Sequence, residues 1–254
     1  MQKLRKIAVV VLGGLIAMAG LQAAVAQDQR RGTPVEFYGC DWEDGKGMED
    51  LVKVGEKFSK WADKNGSRYS AWILQPQFQT DMGFDVGWLG GWPDGAEMGK
   101  TLDNWRSGGS DLAKDFADVV DCSDRHELAT AVPINAPDGP PSSNGVVMFA
   151  GCSLADGKTG ADAIGVHAKA GAAMNAMGSK GSSWVFFPGL GAGQYNFDYW
   201  QVITFGSYAD FGAASDIYIN GGGWQEAMKI MGGTTQCGGS VMFEATVVRY
   251  VKPS

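Results

Sequence analysis

The stretch Phe37–Lys46 (FYGCDWEDGK) decides how this chain is organised, because it returns 112 residues later as Phe149–Lys158 (FAGCSLADGK). Six of the ten positions are identical: Phe, Gly, Cys, Asp, Gly and Lys. Agreement at that level is improbable by chance, so the sequence indicates a duplication of one unit. Further matches follow at nearly the same spacing: Trp72 with Trp184, Pro76 with Pro188, Phe84 with Phe197, Trp105 with Tyr218, Gly108 with Gly221, and Cys122 with Cys237.

The first 26 residues have the pattern of an export signal. A basic start, with Lys3, Arg5 and Lys6, precedes the apolar run 7–21, and Ala24–Ala26 fits the small-x-small cleavage rule. The apolar run is shorter than the ~20 residues needed to span a bilayer. We therefore expect cleavage after Ala26 and a periplasmic or secreted protein; an uncleaved N-terminal anchor is the alternative.

Charge and composition narrow the class of protein further. Removing residues 1–26 takes away three positive charges and moves the formal net charge from −7 to −10. An acidic domain is poorly suited to nucleic acid or to anionic membranes, so we expect neither partner and no stable membrane insertion after signal removal. With 44% hydrophobic and 19% charged residues, the composition is typical of a globular protein.

Hydrophobic spacing predicts the element order β-α-β-β-α-β, twice. Apolar residues at intervals of three and four, such as Leu51, Val54 and Phe58, mark an amphipathic helix over 48–64. The predicted strands are 35–42, 69–78, 84–92, 127–134, 146–154, 183–190, 197–205 and 241–251, and the other helical regions are 96–121, 161–177 and 209–231. We expect a first repeat at 27–135 and a second at 146–254. Residues 136–145, rich in proline and glycine, form the predicted linker.

Paired glycines interrupt both long helical regions at matching positions, Gly108–Gly109 and Gly221–Gly222. Glycine in a helix interior costs up to ~1 kcal/mol relative to alanine. We therefore predict two shorter helices per repeat, with Trp105 and Tyr218 at the mouth of a cavity. A plain helix–helix connection with surface aromatics is the alternative.

Two tandem β-α-β-β-α-β units resemble the ferredoxin-like folds of the dimeric α+β barrel superfamily, which includes antibiotic-biosynthesis-type monooxygenases and Dabb, EthD and NIPSNAP-like domains. The resemblance covers nearly all of the expected mature chain and rests on element order and duplication. It implies that the two repeats pair into one intramolecular α+β barrel with helices outside, as a monomeric pseudo-dimer. No catalytic motif of the superfamily can be carried over, and cofactor-independent oxygenase chemistry is implied by the resemblance alone.

The four cysteines allow three pairings, and in an exported protein they are expected to pair. In the ferredoxin-like order the end of strand one lies beside the start of strand four, which favours Cys40–Cys122 and Cys152–Cys237. Redox or zinc chemistry is the alternative, but there is no Cys-x-x-Cys motif and the spacing fits no zinc site. We expect no metal and no cofactor.

Three other features are weak signals of chemistry. The two histidines, His126 and His167, have no counterparts in the other repeat and are expected at the surface or half-buried, a haem ligand being the alternative. The glycine-rich 189–193 segment falls between two strands, which indicates a hairpin connection rather than a nucleotide loop. Acidic residues at 41–44 fit a solvated turn better than a calcium loop.

Aromatic residues are the most suggestive feature, with nine Trp, seven Tyr and twelve Phe. If the strand faces carrying the candidate residues line the barrel lumen, they form an aromatic cavity with two glutamates as polar groups. The alternative is that the aromatics fill the core and both glutamates face solvent. The candidate cavity residues are Glu36, Tyr38, Trp88, Tyr199, Gln201 and Glu244, with Trp105 and Tyr218 at the mouth.

Three functions are compatible with these observations. The leading hypothesis is an exported protein that binds a small apolar or aromatic molecule in a barrel cavity. The alternatives are a cofactor-independent monooxygenase-like enzyme, and a structural or interaction protein with a filled barrel. A cavity would separate the third function from the first two.

Overall fold

The computed structural model describes residues 31–80, 82–136, 140–141 and 144–252. The expected signal peptide and part of the expected linker lie outside these residues. The elements are β1 (Thr33–Trp42), α1 (Met48–Lys64), β2 (Ser70–Phe78), β3 (Val86–Gly91), α2 (Gly95–Gly108), α3 (Ser110–Ala117), β4 (Val120–Asn135), β5 (Asn144–Leu154), α4 (Gly160–Ala176), β6 (Ser182–Pro188), β7 (Tyr199–Phe205), α5 (Tyr208–Ile219), α6 (Gly223–Met231) and β8 (Thr235–Arg249).

The eight strands of the described chain close into one antiparallel barrel in the order β1-β3-β2-β8-β5-β7-β6-β4. Within it, β1 to β4 lie in the order β4-β1-β3-β2, and β5 to β8 lie in the same order, β8-β5-β7-β6. We call these strands and their helices the first half and the second half. The halves meet where β2 pairs with β8 and where β4 pairs with β6. The protein is thus a mixed α+β fold, a ferredoxin-like α+β barrel.

The helical breaks are as predicted, but two strands begin six or seven residues earlier than predicted. Each second helical region is divided, into α2 and α3 in the first half and into α5 and α6 in the second. Strand β4 begins at Val120 rather than at 127, and β8 begins at Thr235 rather than at 241. The early parts of both strands are polar and exposed, so they lack the apolar alternation that marks a strand in sequence.

Residues that match between the halves make matching contacts. A Cβ placed on Gly39 would lie 2.9 Å from the ring of Phe84, and one on Gly151 would lie 2.6 Å from the ring of Phe197. Each glycine therefore leaves room for an aromatic ring that crosses the strand. Both repeated motifs also turn at a glycine with positive φ, which is 72° at Gly45 and 73° at Gly157.

The aspartates that follow those rings anchor the first strand of each half. Asp85 accepts a hydrogen bond from the backbone N–H of Trp42 at 3.1 Å, and Asp198 accepts one from Leu154 at 2.7 Å. The sequence similarity that opens each half is therefore explained by backbone architecture rather than by chemistry.

Both expected disulfides are confirmed. Cys40 is bonded to Cys122 and Cys152 to Cys237, with sequence separations of 82 and 85 residues. Each bond joins the first and last strands of one half, because β1 pairs with β4 and β5 with β8. No described cysteine is free.

The barrel lumen is filled by side chains. One apolar cluster takes residues from all eight strands and none from a helix, so it can only lie inside the barrel. These residues are Val35, Leu74, Leu89, Ala131, Val147, Phe186, Val202 and Phe243. They leave a space of about 60 Å³ in the lumen.

The hypothesis that the candidate faces line the lumen is wrong for the aromatic residues, whereas Glu36 does border the small space in the lumen. Strand side chains alternate between two faces, and on β1 it is Val35 and Phe37 that point inward. Tyr38, on the other face, packs against the helices of the first half. Tyr199 likewise packs against α4, and Met242, the β8 neighbour of Glu244 on its face, packs against α5.

Among the described residues, no helix has the length and apolar character required to cross a membrane.

Candidate functional site

A cavity of about 340 Å³ lies between the sheet of the first half and helices α1, α2 and α3. Eight aromatic residues contribute to its wall: Tyr38, Phe58, Trp61, Tyr69, Trp88, Trp92, Trp105 and Phe116. Its volume is at the lower end of the range usual for small-molecule sites, and its wall has their usual composition.

Each helix supplies rings to the cavity for a reason visible in its sequence. The apolar stripe of α1 brings Phe58 and Trp61 onto the sheet, α2 carries Trp105 and α3 carries Phe116. The rings meet edge to face, with centroid separations of 5.2 Å for Trp61 and Trp105 and 5.5 Å for Phe58 and Trp88. Such arrangements are favourable for aromatic pairs, so the wall is ordered rather than loosely packed.

A buried hydrogen-bonded chain forms one side of the cavity. Trp88 Nε1 donates to the hydroxyl of Tyr69 at 2.9 Å, and that hydroxyl donates to Glu36 Oε1 at 2.7 Å. The other carboxylate oxygen of Glu36 lies 3.0 Å from Nε2 of His126. Gly90 makes room for the phenol, since a Cβ there would lie 1.6 Å from the Tyr69 hydroxyl oxygen.

The two phenols beside Glu36 are held in their neutral forms. Burial is the main cause that raises the pKa of Tyr69 well above its ordinary value, and the negative charge of Glu36 adds to it. Burial and then Glu36 also raise the pKa of Tyr38, which is hydrogen-bonded to the same carboxylate. Both tyrosines are therefore hydrogen-bond donors to Glu36 at any physiological pH.

His126 connects this buried group to solvent. Its ring stacks on Tyr38 with centroids 3.8 Å apart, and its side chain is 49% exposed while that of Glu36 is 9% exposed. The chain Trp88–Tyr69–Glu36–His126 thus runs from the cavity wall to the surface.

The corresponding space in the second half is occupied. His167 on α4 is 3% exposed, and its Nε2 lies 3.0 Å from the hydroxyl of Tyr199, which in turn lies 2.6 Å from Thr235 Oγ1. Burial lowers the pKa of His167 to about 4. The expectation of a surface or half-buried position for this histidine is therefore wrong, because its ring fills the space between α4 and the sheet.

Within the described chain, one group of side chains has the proximity of a metal site. The ligand atoms of Cys152, His167 and Cys237 lie within 4.8 Å of one another. The two sulfur atoms are bonded to each other, so neither is the thiolate that a metal would need.

The structure brings four of the eight predicted site residues together. Glu36, Tyr38, Trp88 and Trp105 line the cavity of the first half. The other four lie in the second half: Tyr199 is buried against α4, Gln201 is half-buried on the same strand, Tyr218 is 45% exposed, and Glu244 accepts a long hydrogen bond from Tyr208 at the surface.

Sequence reasoning missed Tyr69 and His126 as partners of Glu36. The signal for His126 was the strand order, since β4 lies beside β1 and places His126 opposite Tyr38. No comparable signal pointed to Tyr69, because its role depends on the space left by Gly90 on another strand, β3.

A second polar group borders the small space in the lumen through Arg125 and Glu127. The hydroxyl of Tyr195 lies 2.5 Å from both carboxylate oxygens of Glu127, which also accepts from Arg125 Nε at 2.9 Å. The Arg125 guanidinium lies 5.4 Å from the ring centroid of Phe84. The three side chains therefore satisfy one another.

No protein-family model matches the chain, and no curated protein matches it. Solved structures do resemble it. An anthrone oxidase-like protein shares 12% identity over 88% of this chain and 93% of its own, with a TM-score of 0.51. A chlorite dismutase from Candidatus Nitrospira defluvii in complex with imidazole shares 8% identity over 85% of this chain and 92% of its own, with a TM-score of 0.49.

A heme-binding protein from Thermus thermophilus shares 13% identity over 85% of this chain and 91% of its own, with a TM-score of 0.44. At such identities the likeness concerns the fold alone. The activity must therefore be argued from the cavity itself.

Proposed function

We propose that this chain is an exported protein that binds a small apolar or aromatic molecule in the cavity of its first half. The observation that carries the proposal is a space of about 340 Å³ walled by eight aromatic side chains and one buried carboxylate, Glu36. A large apolar pocket with few convergent polar groups is the usual form of a small-molecule site. The cavity also counts against a purely structural role, although the lumen is filled.

The difference between the halves supports a dedicated binding site. In the first half, Phe58 and Trp61 on α1 border an open space. In the second half, α4 presents small residues such as Ala163 and Ala170 to the sheet, and His167 and Tyr199 fill what remains. If the aromatic rings only filled the core, we would expect neither half to contain an open space.

We infer that the halves arose by duplication, with a first ferredoxin-like repeat at 27–135, a linker at 136–145 and a second repeat at 146–254. The identical strand order and the matching roles of Asp85 and Asp198 support this. Export with cleavage after Ala26 is supported by the two disulfides, which persist in oxidising compartments.

Binding is tested by titrating the full chain with naphthalene and following its tryptophan fluorescence and calorimetric heat. We expect saturable binding, and at least about a tenfold loss of affinity for Trp105→Leu, because one aromatic contact of the wall is removed. Trp224→Leu is the matched control, since Trp224 lies on α6, 47% exposed and away from the cavity. Equal affinities of both variants and the unchanged protein would place the site elsewhere.

The monooxygenase-like alternative is favoured by one observation, the carboxylate–imidazole pair at the cavity. Glu36 could accept the proton of a phenolic substrate and His126 could pass it to solvent, which is general-base chemistry. The likeness to an anthrone oxidase-like protein is compatible with this but concerns the fold. Oxygen uptake with a hydroxylated aromatic substrate, reduced about 10²-fold or more in Glu36→Gln, would support it.

The cavity residues do not fit a haem. Among the described residues, the lining contains no histidine and no methionine, and its two cysteines form a disulfide. The lining tyrosines, Tyr38 and Tyr69, are held neutral and so are poor ligands for iron. His167 lies in the other half, with its Nε2 on Tyr199.

A further inference from the structure

The charged groups that line the cavity in the described chain are all of one sign. Glu36 and Asp121 are the charged residues of the lining, the first buried and the second exposed, and no described lysine, arginine or histidine belongs to it. The formal net charge of the whole chain is −7, so the surrounding field has the same sign. An anionic ligand would therefore meet repulsion in the cavity and no compensating donor charge.

The aromatic wall adds a second, independent preference. The faces of indole, phenol and benzene rings are electron-rich, and they attract a cation placed within about 6 Å of the ring centre. Four of the lining rings are indoles, the strongest of the three types: Trp61, Trp88, Trp92 and Trp105. A cage of such rings around an acidic group is the general form of a site for organic cations.

The buried carboxylate has no permanent counter-ion among the side chains that the structure shows bonded to it. Its neighbours Tyr69 and Tyr38 are neutral phenols, and His126 carries a positive charge only when it is protonated. The partners of Glu36 therefore stabilise the carboxylate by hydrogen bonds and leave its charge largely unbalanced. A ligand cation in the cavity would supply the missing charge.

We propose that the ligand of this cavity is an organic cation with an apolar body, of the quaternary ammonium or protonated alkylamine class. The inference rests on the proposed function and specifies its ligand. The ammonium group lies against the indole faces with Glu36 as its counter-charge, and the apolar body fills the remaining space under α2 and α3.

The test compares two probes of nearly the same shape on the unchanged full chain with both disulfides formed. Phenyltrimethylammonium carries the charge, and tert-butylbenzene is its neutral isostere. We expect the cation to bind at least about tenfold more tightly, as measured by calorimetry and tryptophan quenching, because cation–π attraction is strongest in desolvated sites. Glu36→Gln should remove most of this preference, because it takes away the counter-charge and keeps the size of the side chain.

The outcomes separate this proposal from the one on which it rests. If tert-butylbenzene binds as tightly as the cation or more tightly, the organic-cation proposal is overturned and the apolar site remains. If neither probe nor naphthalene binds, the proposed function itself fails. Equal losses for both probes in Glu36→Gln would assign Glu36 a structural role and overturn the charge argument. The comparison on the unchanged protein decides the matter even if that variant does not fold.

Discussion

At the scale of single residues, the two halves differ by exchanges of large and small side chains at matching positions. Phe58 on α1 corresponds to Ala170 on α4, and Gly55 corresponds to His167, both at a spacing of 112 residues. A Cβ placed on Gly55 would lie 3.0 Å from Val248 and 3.8 Å from the indole of Trp88, whereas His167 reaches Tyr199 directly. Such exchanges place a ring between α4 and the sheet of the second half, where the matching position of the first half has no side chain.

His167 should make the stability of the protein depend on pH. Its pKa is lowered to about 4 in the folded state, so it stays neutral there, while an unfolded histidine takes up a proton below about 6.5. The stabilising contribution is therefore complete above pH 6.5 and is lost as the pH falls toward 4. At pH 5 the loss should be about 2 kcal/mol relative to pH 7.

Urea denaturation at pH 7 and pH 5 measures this effect in the unchanged protein and in His167→Gln, which retains a polar group near Tyr199 without titrating. The variant should lose about 2 kcal/mol less than the unchanged protein between the two pH values. Carboxylates titrate equally in both proteins and cancel in the comparison. Identical pH dependence in the two would show that His167 is already protonated in the folded state at pH 5.

At the scale of secondary-structure elements, the division of a helical region in two is what covers the cavity. Helix α2 ends at Gly108 and α3 begins at Ser110, and the two present Trp105 and Phe116 to one space. The second half has the same division, yet Tyr218 on α5 is 45% exposed. The division of the helical region is therefore common to both halves, but only in the first half does the described structure show it covering a cavity.

The two glycines at this break should respond differently to substitution by alanine. A Cβ on Gly109 would lie 2.7 Å from both the indole and the carbonyl oxygen of Trp105, whereas one on Gly108 meets nothing within 4 Å. We expect Gly109→Ala to cost about 1–3 kcal/mol of stability, as overpacking does, and to weaken naphthalene binding. Gly108→Ala is the matched control and should be neutral or stabilising by up to ~1 kcal/mol.

Thermal denaturation and the fluorescence titration measure both quantities for each variant. If the two variants have the same stability and the same affinity for naphthalene, contact with Gly109 does not position Trp105.

The element order and the helical breaks followed from sequence, because repetition and hydrophobic spacing encode them directly. The disulfide partners followed only from the strand order that the ferredoxin-like resemblance implies. The sequence did not show which face of a strand points into the barrel, because Phe37 and Tyr38 are adjacent, lie on opposite faces and are both aromatic. Periodicity separates two faces but does not say which one meets helices when both are apolar. The pairing of Glu36 with Tyr69 was beyond sequence as well, because it requires the crossing over Gly90.

At the scale of the whole molecule, each disulfide stays within one half, and the halves are held together by strand pairing and the shared lumen. The two bonds close loops of similar length, for which chain entropy gives roughly 4 kcal/mol each. They differ in position, since Cys40 and Cys122 line the cavity while Cys152 and Cys237 lie beside His167.

Removing either disulfide should therefore lower the stability by a similar amount, but only removal of Cys40–Cys122 should weaken ligand binding. The double variant Cys40→Ala/Cys122→Ala and its counterpart Cys152→Ala/Cys237→Ala should each lose about 2–5 kcal/mol in urea denaturation. Naphthalene affinity should fall in the first, because the cavity wall is altered, and should be retained in the second. Loss of affinity in the second variant alone would contradict a binding site confined to the first half.

The pairing of β8 with β2 has a consequence for biosynthesis. The last strand of the chain, ending at Arg249, lies beside a strand of the first half, and Arg249 also donates to the backbone oxygens of Ser67 and Tyr69. Until β8 and β6 are available, the first half therefore has both outer strands unpaired and its lumen face uncovered. Barrel closure requires both halves, so the first half alone should be prone to aggregation during biosynthesis.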